Sequence, residues 1–305
     1  MSRVRLRARD RRTAAAVFMV ALASSVLSGC SAEAGGKAKE EPRIPAPTVT
    51  GIRDLETVNG LKLPLEPYLF SDSEMSSLMQ ARNVLIQKCM HGLQLDYTPP
   101  KPQKRVGPKT MTERRYGLAD ADLAAASGYH MPGAAVRPES TVPADQYRAL
   151  TGKGAGSRVP EGGCVGEAER ALAGKRHFGV SDLSQDLNAR SYKLSMQDKR
   201  VQEVFHSWSA CMSNAGYKYP DPMAAMSAPE FSRAEVGNGE VETAMADVRC
   251  KKSSNVIGVW YTVESAYQQK LIEKNSKKLD AISMAKRDQL DAARKVRSEV
   301  HGGSR

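Results

Sequence analysis

Past Leu27 the chain has no apolar run long enough to cross a bilayer, so no spanning helix is expected. Aromatic residues make up only 6% of it, and only two are tryptophan. β-branched runs are scarce and good helix formers dominate, which predicts little or no β structure. Among five cysteines and five histidines there is no Cys-x-x-Cys and no pair of histidines at ligand spacing, which removes the common zinc motifs. A Gly-x-Ser-x-Gly elbow and a His-Glu-x-x-His helix are missing too. No stripe of Lys and Arg carries interleaved aromatics, so nucleic acid is not an expected partner. No metal and no cofactor are expected.

What the chain has begins at its start. Arg3, Arg5, Arg7, Arg9, Arg11 and Arg12 precede an apolar stretch from Ala14 to Leu27, and Leu27-Ser28-Gly29-Cys30 follows. A positive region, a short apolar region and small residues at a cut are the layout of a secretory signal peptide, here 1–29. The ending resembles the bacterial lipobox. That resemblance implies lipidation of Cys30 and a protein anchored on the extracytoplasmic face of the cell membrane. Residues 1–29 carry six Arg and one Asp, so removing their +5 from the total of +11 leaves about +6, mildly basic. Residues 30–50 are small, charged and proline-bearing, and read as a flexible tether.

Four cysteines remain: Cys89, Cys164, Cys211 and Cys250. An even count in an oxidising compartment reads as two disulfides, and four cysteines allow three pairings. We expect the sequential one, Cys89–Cys164 and Cys211–Cys250, because it joins neighbours along the chain. It also respects an echo between halves. Cys89-Met90 is followed by Leu93, Leu95 and Tyr97, and Cys211-Met212 by Ala215, Tyr217 and Tyr219, at the same offsets. The pattern is short enough that duplication and coincidence both remain open.

The remaining signals are helical. Ser71 to Glu74 fits a capping box ahead of an apolar stripe reaching Met90, with Gly92 placed to end the helix. Short helices are expected at 118–127 and 164–173, with mostly loop across 128–163. Ser181 and Ser195 are candidate N-caps, and Ser227 to Glu230 a second capping box with proline at the first helical position. After Gly239 the chain is free of proline and keeps a helical beat to its end. Residues through about Leu271 are expected to pack on a body spanning 51–273. The charged end, 274–305, has one narrow seam (Leu279, Ile282, Leu290, Val296) and is expected to project as a helix or coiled coil. The expected fold is a mainly α, disulfide-stapled domain with long irregular loops and a long C-terminal helix.

Three stretches resemble a group of exported actinobacterial lipoproteins with no assigned activity. They are Gly162 to Arg170, Trp208 to Met212, and Ala246 to Lys251. The resemblance supports export and disulfides and implies no mechanism. No catalytic residue is assigned. His91 and His206, near Cys89 and Cys211, are read as packed or surface residues rather than ligands. Glu161 with Glu167, and Glu240 with Glu242, are read as surface charges. Gly152 to Ser157 lacks the order of a phosphate loop and reads as a flexible loop. The expected role is a non-catalytic, membrane-tethered accessory or binding protein with a protein partner in the envelope. A wall-active hydrolase with acidic catalysts is the alternative. Another is small-ligand capture in a pocket of Trp208, Tyr217, Tyr219 and Trp260, residues that equally suit plain core.

Overall fold

The computed structural model describes residues 44–100, 107–108, 110–131, 142–233 and 235–302. The segments expected to be a signal peptide (1–29) and most of a tether (30–50), with Cys30, lie outside these residues. Pro45–Arg305 forms one unit. Among the described residues there are nine α-helices and no strand: α1 (Asp72–Gly92), α2 (Ala121–Ser127), α3 (Ala144–Thr151), α4 (Gly163–Ala173), α5 (Asp182–Met196), α6 (Lys199–Asn214), α7 (Pro222–Met226), α8 (Asn238–Ser253) and α9 (Val256–Gly302). No helix among them is long and apolar enough to cross a membrane.

The organising element is α9, 47 residues and about 70 Å along its path at 1.5 Å per residue. It is broken once, at Asn275, whose side-chain amide donates to the Leu271 carbonyl (2.8 Å). Its first half buries Val256, Ile257, Trp260, Val263, Tyr267 and Leu271, a helical stripe that packs on α5, α6 and α8. Trp260 is fully enclosed by Tyr116, Tyr192 and Phe205, with ring centroids 5.0–5.3 Å away, and its indole N–H donates to Ser195 Oγ (2.9 Å).

The second half does not project. Leu279 and Ala293 are fully buried, and the helix lies along α1 and α4. Lys286 donates to the Leu69 carbonyl (2.6 Å) and pairs with Glu74 (2.9 Å). The Gln289 amide accepts from Gly179 N (2.9 Å) and donates to the His177 carbonyl (3.1 Å). The apolar seam is narrow because backbone groups of 69 and 177–179 take the polar residues beside it.

Both disulfides form as expected, Cys89–Cys164 and Cys211–Cys250, each with Cα atoms 5.6 Å apart. The echo between halves is structural at the helix ends. Leu95 N donates to the Met90 carbonyl (3.0 Å) and Gln94 N to that of His91 (2.9 Å); Tyr217 N and Gly216 N repeat both bonds to Met212 (2.9 Å) and Ser213 (3.0 Å). Each is a Schellman ending with methionine at the same position and an apolar residue after the left-handed one. The crosslinked partners do not repeat: Cys164 begins α4, whereas Cys250 sits near the end of α8.

Local expectations held where the signal was a cap bonded in place. Ser71 and Glu74 make the reciprocal capping box. Gly92 is not the left-handed residue, however. Gln94 takes that conformation (φ 61°), so that Leu93 and Leu95 reach the apolar cluster around the first disulfide. Ser195 caps nothing, since its hydroxyl serves Tyr192 and Trp260. Asp198 caps α6 instead, accepting from Arg200 N (3.0 Å). Pro229–Phe231 is only a 3-10 turn, because the Ser227 hydroxyl turns back to close α7 on the Met223 carbonyl. Within the expected loop lies α3, which buries only Ala149 and Leu150.

Candidate functional site

Among the described residues, four buried carboxyl or amine side chains lie on inward faces of α8 and α9. On α9, the Glu264 carboxylate is fully buried. Arg115 Nε donates to both its oxygens (3.0 and 2.9 Å), and the Arg115 Nη2 group reaches it too. The Tyr116 and Ser191 hydroxyls each donate to it at 3.0 Å. Gln268 joins this knot to the chain's start, accepting from Leu65 N (2.9 Å) and donating to Ser191 Oγ (3.0 Å). Burial works against the Arg115 charge, yet the hydrogen bonds and proximity of Glu264 hold its pKa above the ordinary value.

On α8, Glu240, Asp247 and Lys251 share one inward face at spacings of seven and four residues. Lys251 Nζ lies 2.5 Å from Asp247 Oδ2 and donates to the Leu118 carbonyl (3.0 Å); the two side chains are 1% and 0% exposed. Trp208 Nε1 donates to Asp247 Oδ1 (2.9 Å). Burial pushes the Asp247 carboxyl up and the Lys251 amine down, against the pull of their contact. The short helix α2 seals this face. Its flanking glycines have positive φ, and a Cβ would lie 2.8 Å from Lys251 Nζ at Gly117 and 2.6 Å from Glu240 Oε1 at Gly128. No larger residue fits at either end of α2 without displacing a buried charged group.

Glu240 holds the far end of the seal. It accepts from Tyr129 N (2.8 Å) and contacts His130 Nδ1 (2.8 Å), while His130 Nε2 contacts the Arg233 carbonyl (2.6 Å). With acceptors at both ring nitrogens, His130 favours its charged form, and its pKa lies above the ordinary value through the Glu240 bond first and the Arg233 carbonyl second. A raised histidine pKa makes this contribution to stability full below about pH 6.5, the unfolded-state value, and lost as pH rises through the folded value. Relative to His130→Gln, the wild-type melting temperature should therefore fall as pH is raised from about 6 to 9. An offset between the two proteins that does not change with pH would dismiss the coupling.

Between α5, α7 and residues 108–115 opens a cleft of about 620 Å³. Met111, Met223 and Met226 supply its apolar walls, and Tyr192, Arg114 and Arg115 its polar ones; Asp72 is the one carboxylate among the residues lining it. The Tyr192 hydroxyl donates to Met223 Sδ (3.2 Å), and burial pushes its pKa up to about 12, so it stays protonated. Arg114 donates to the Tyr129 (3.0 Å) and His130 (3.1 Å) carbonyls at the end of α2.

No known protein family matches the chain, and neither does any curated protein or solved structure. The site therefore rests on its own geometry.

His91, His206, Glu161 and Glu167 are exposed, as expected of surface residues. Glu167 lies beside Cys89 and Cys164, but both sulfurs are bonded to each other and offer no thiolate to a metal. Glu240 and Glu242 are no pair, since the first is buried against His130 and the second is exposed. Trp208 and Trp260 form no pocket with Tyr217 and Tyr219; both indoles are fully buried in the core. Residues 154–156 of the glycine loop line a second cleft of about 430 Å³ with Arg148 and Arg158. One Ser-x-x-Lys spacing does occur, Ser283 to Lys286 on α9. Its lysine is committed to Glu74 and the Leu69 carbonyl and is not placed to take a serine proton. The methionine cleft was missed. Its available signals were Arg114-Arg115-Tyr116 inside a weakly patterned segment and the Met223-x-x-Met226 spacing.

Proposed function

We propose that the protein is a non-catalytic binding component of the cell envelope, tethered by lipid on Cys30 to the extracytoplasmic face of the membrane, with the methionine cleft as its binding surface. The observation that carries this reading is the division of labour among its charged groups. Glu264 is spent on Arg115, and Asp247 and Lys251 on each other, while the open cleft offers flexible thioethers, a tyrosine and the Arg114 guanidinium. Methionine walls adapt to irregular apolar partners. A wall hydrolase needs two carboxyl groups facing each other across a cleft, about 5–9.5 Å apart. The cleft has one, Asp72. The likeness to exported lipoproteins at the three cysteine-centred stretches agrees with the address.

Metabolic labelling with an alkynyl fatty acid tests the tether. Wild type should take up label and stay in the membrane fraction, and Cys30→Ala should do neither. Labelled, membrane-bound Cys30→Ala protein would end the anchoring claim. A photo-crosslinking residue at Met226, compared with one at exposed Met284 on α9, tests the binding surface in intact cells. Adducts should form from Met226 alone, and an equal yield from both positions would count against the cleft.

A further inference from the structure

We propose that the methionine cleft takes a monoanionic amphiphile, an alkyl carboxylate whose head sits on Arg114 and whose chain lies against Met111, Met223 and Met226. This deepens the reading of the cleft as a binding surface and rests on it.

Arg114 is the key. A guanidinium has five N–H donors, and Arg114 spends two of them, both on main-chain carbonyls of Tyr129 and His130. No carboxylate lies within ion-pair distance of it among the described residues, in contrast to Arg115, which is locked to Glu264. Its nearest acidic influences, Glu113 and Asp120, act only at longer range. The guanidinium is half-buried, and burial lowers its pKa against the pull of Glu113 and Asp120, and among the described residues its charge has no ion-pair partner. A cation held this way on the wall of a cleft favours an anion that can bring two oxygens to its remaining donors.

The walls set the rest of the ligand. Met111 and Met226 are partly exposed and line the same cleft as Arg114, and Met223 accepts from the Tyr192 hydroxyl. Unbranched thioether side chains follow the contour of an alkyl chain with little rearrangement. About 620 Å³ lies within the range of small-molecule sites. Asp72, on the first turn of α1, borders the same space and is the one carboxylate among the residues lining it. One charge and an apolar chain suit the Arg114 guanidinium and these walls.

The test uses the full chain carrying Cys30→Ala, so that no attached acyl chain competes, and titrates it with octanoate, octanol and octyltrimethylammonium by calorimetry. Octanoate should bind about tenfold or more tighter than octanol, the factor expected of one charge-assisted contact, and the cationic probe should not bind. Arg114→Gln should bring octanoate to the level of octanol. Because Arg114 also holds the end of α2, a second variant leaves that contact alone: Met226→Asp should abolish octanoate binding and admit the cationic probe. Equal affinity for all three probes, no binding of any, or an octanoate preference that survives both substitutions would overturn the proposal. A cleft that binds no octanoate yet still crosslinks in cells from Met226 would leave the binding-component reading standing without this ligand.

Discussion

Replacing Asp247 with alanine should cost on the order of 3–5 kcal/mol, because it strands Lys251 in a dry interior with only the Leu118 carbonyl as partner. The double variant Asp247→Ala/Lys251→Met should regain most of this. A buried ion pair must first overcome the desolvation of both charges, so an apolar replacement of similar size is commonly as stable as the pair. What the double variant cannot regain is the carboxylate acceptor of Trp208 Nε1, worth about 1 kcal/mol. Denaturant unfolding with the disulfides intact measures all three proteins. A double variant no more stable than Asp247→Ala would show that the cost lies in the lost packing and not in the unpaired charge.

Deleting residues 274–305 should destabilise the body by about 5 kcal/mol or more, at 1.5–3 kcal/mol for each large apolar side chain returned to water. Leu279 and Ala293 would be lost, and Leu78, Ala81 and Leu172, which pack with Ala293, would be exposed. The Lys286–Glu74 pair and the Gln289 bonds to 177 and 179 go with them. Against a usual net stability of about 5–15 kcal/mol, the truncated protein should be partly unfolded at ambient temperature. Near-native hydrogen-exchange protection in α1 after truncation would mean that the second half of α9 contributes little.

That outcome reverses the expectation drawn from the charged seam, and the reason is general. A periodic stripe shows which side of a helix is apolar and leaves open what it faces. Leu279, Ile282, Leu290 and Val296 suit a coiled coil as well as a groove between α1 and the 176–179 turn. The Ser71–Glu74 box closes within a few residues and was legible, and the sequential cysteine pairing was legible from the even count and the echo between halves. The buried charges were not. Asp247 and Lys251 are four apart on a helix, the spacing of an ordinary solvated ion pair, and only α6 with Trp208 and the segment leading into α2, packing over them, make them interior. Glu240 is hidden at the far end of α2. The cleft was illegible for a similar reason, since Arg114 and Met226 are more than a hundred residues apart.

The position of α9 after the helices that rest on it bears on how the molecule is made. Translation delivers residues 256–302 after α1, α4, α5, α6 and α8, all of which pack on them. Cysteines 89, 164, 211 and 250 are all synthesised earlier and can meet an oxidant while the groove meant for α9 is still empty. A chain stalled just before residue 256 thus exposes Leu78, which packs with Ala293, and Phe205, which packs on Trp260, as a sticky intermediate of the kind that holding chaperones bind. The two disulfides can then pair before the long helix exists, with α9 closing over a framework already crosslinked.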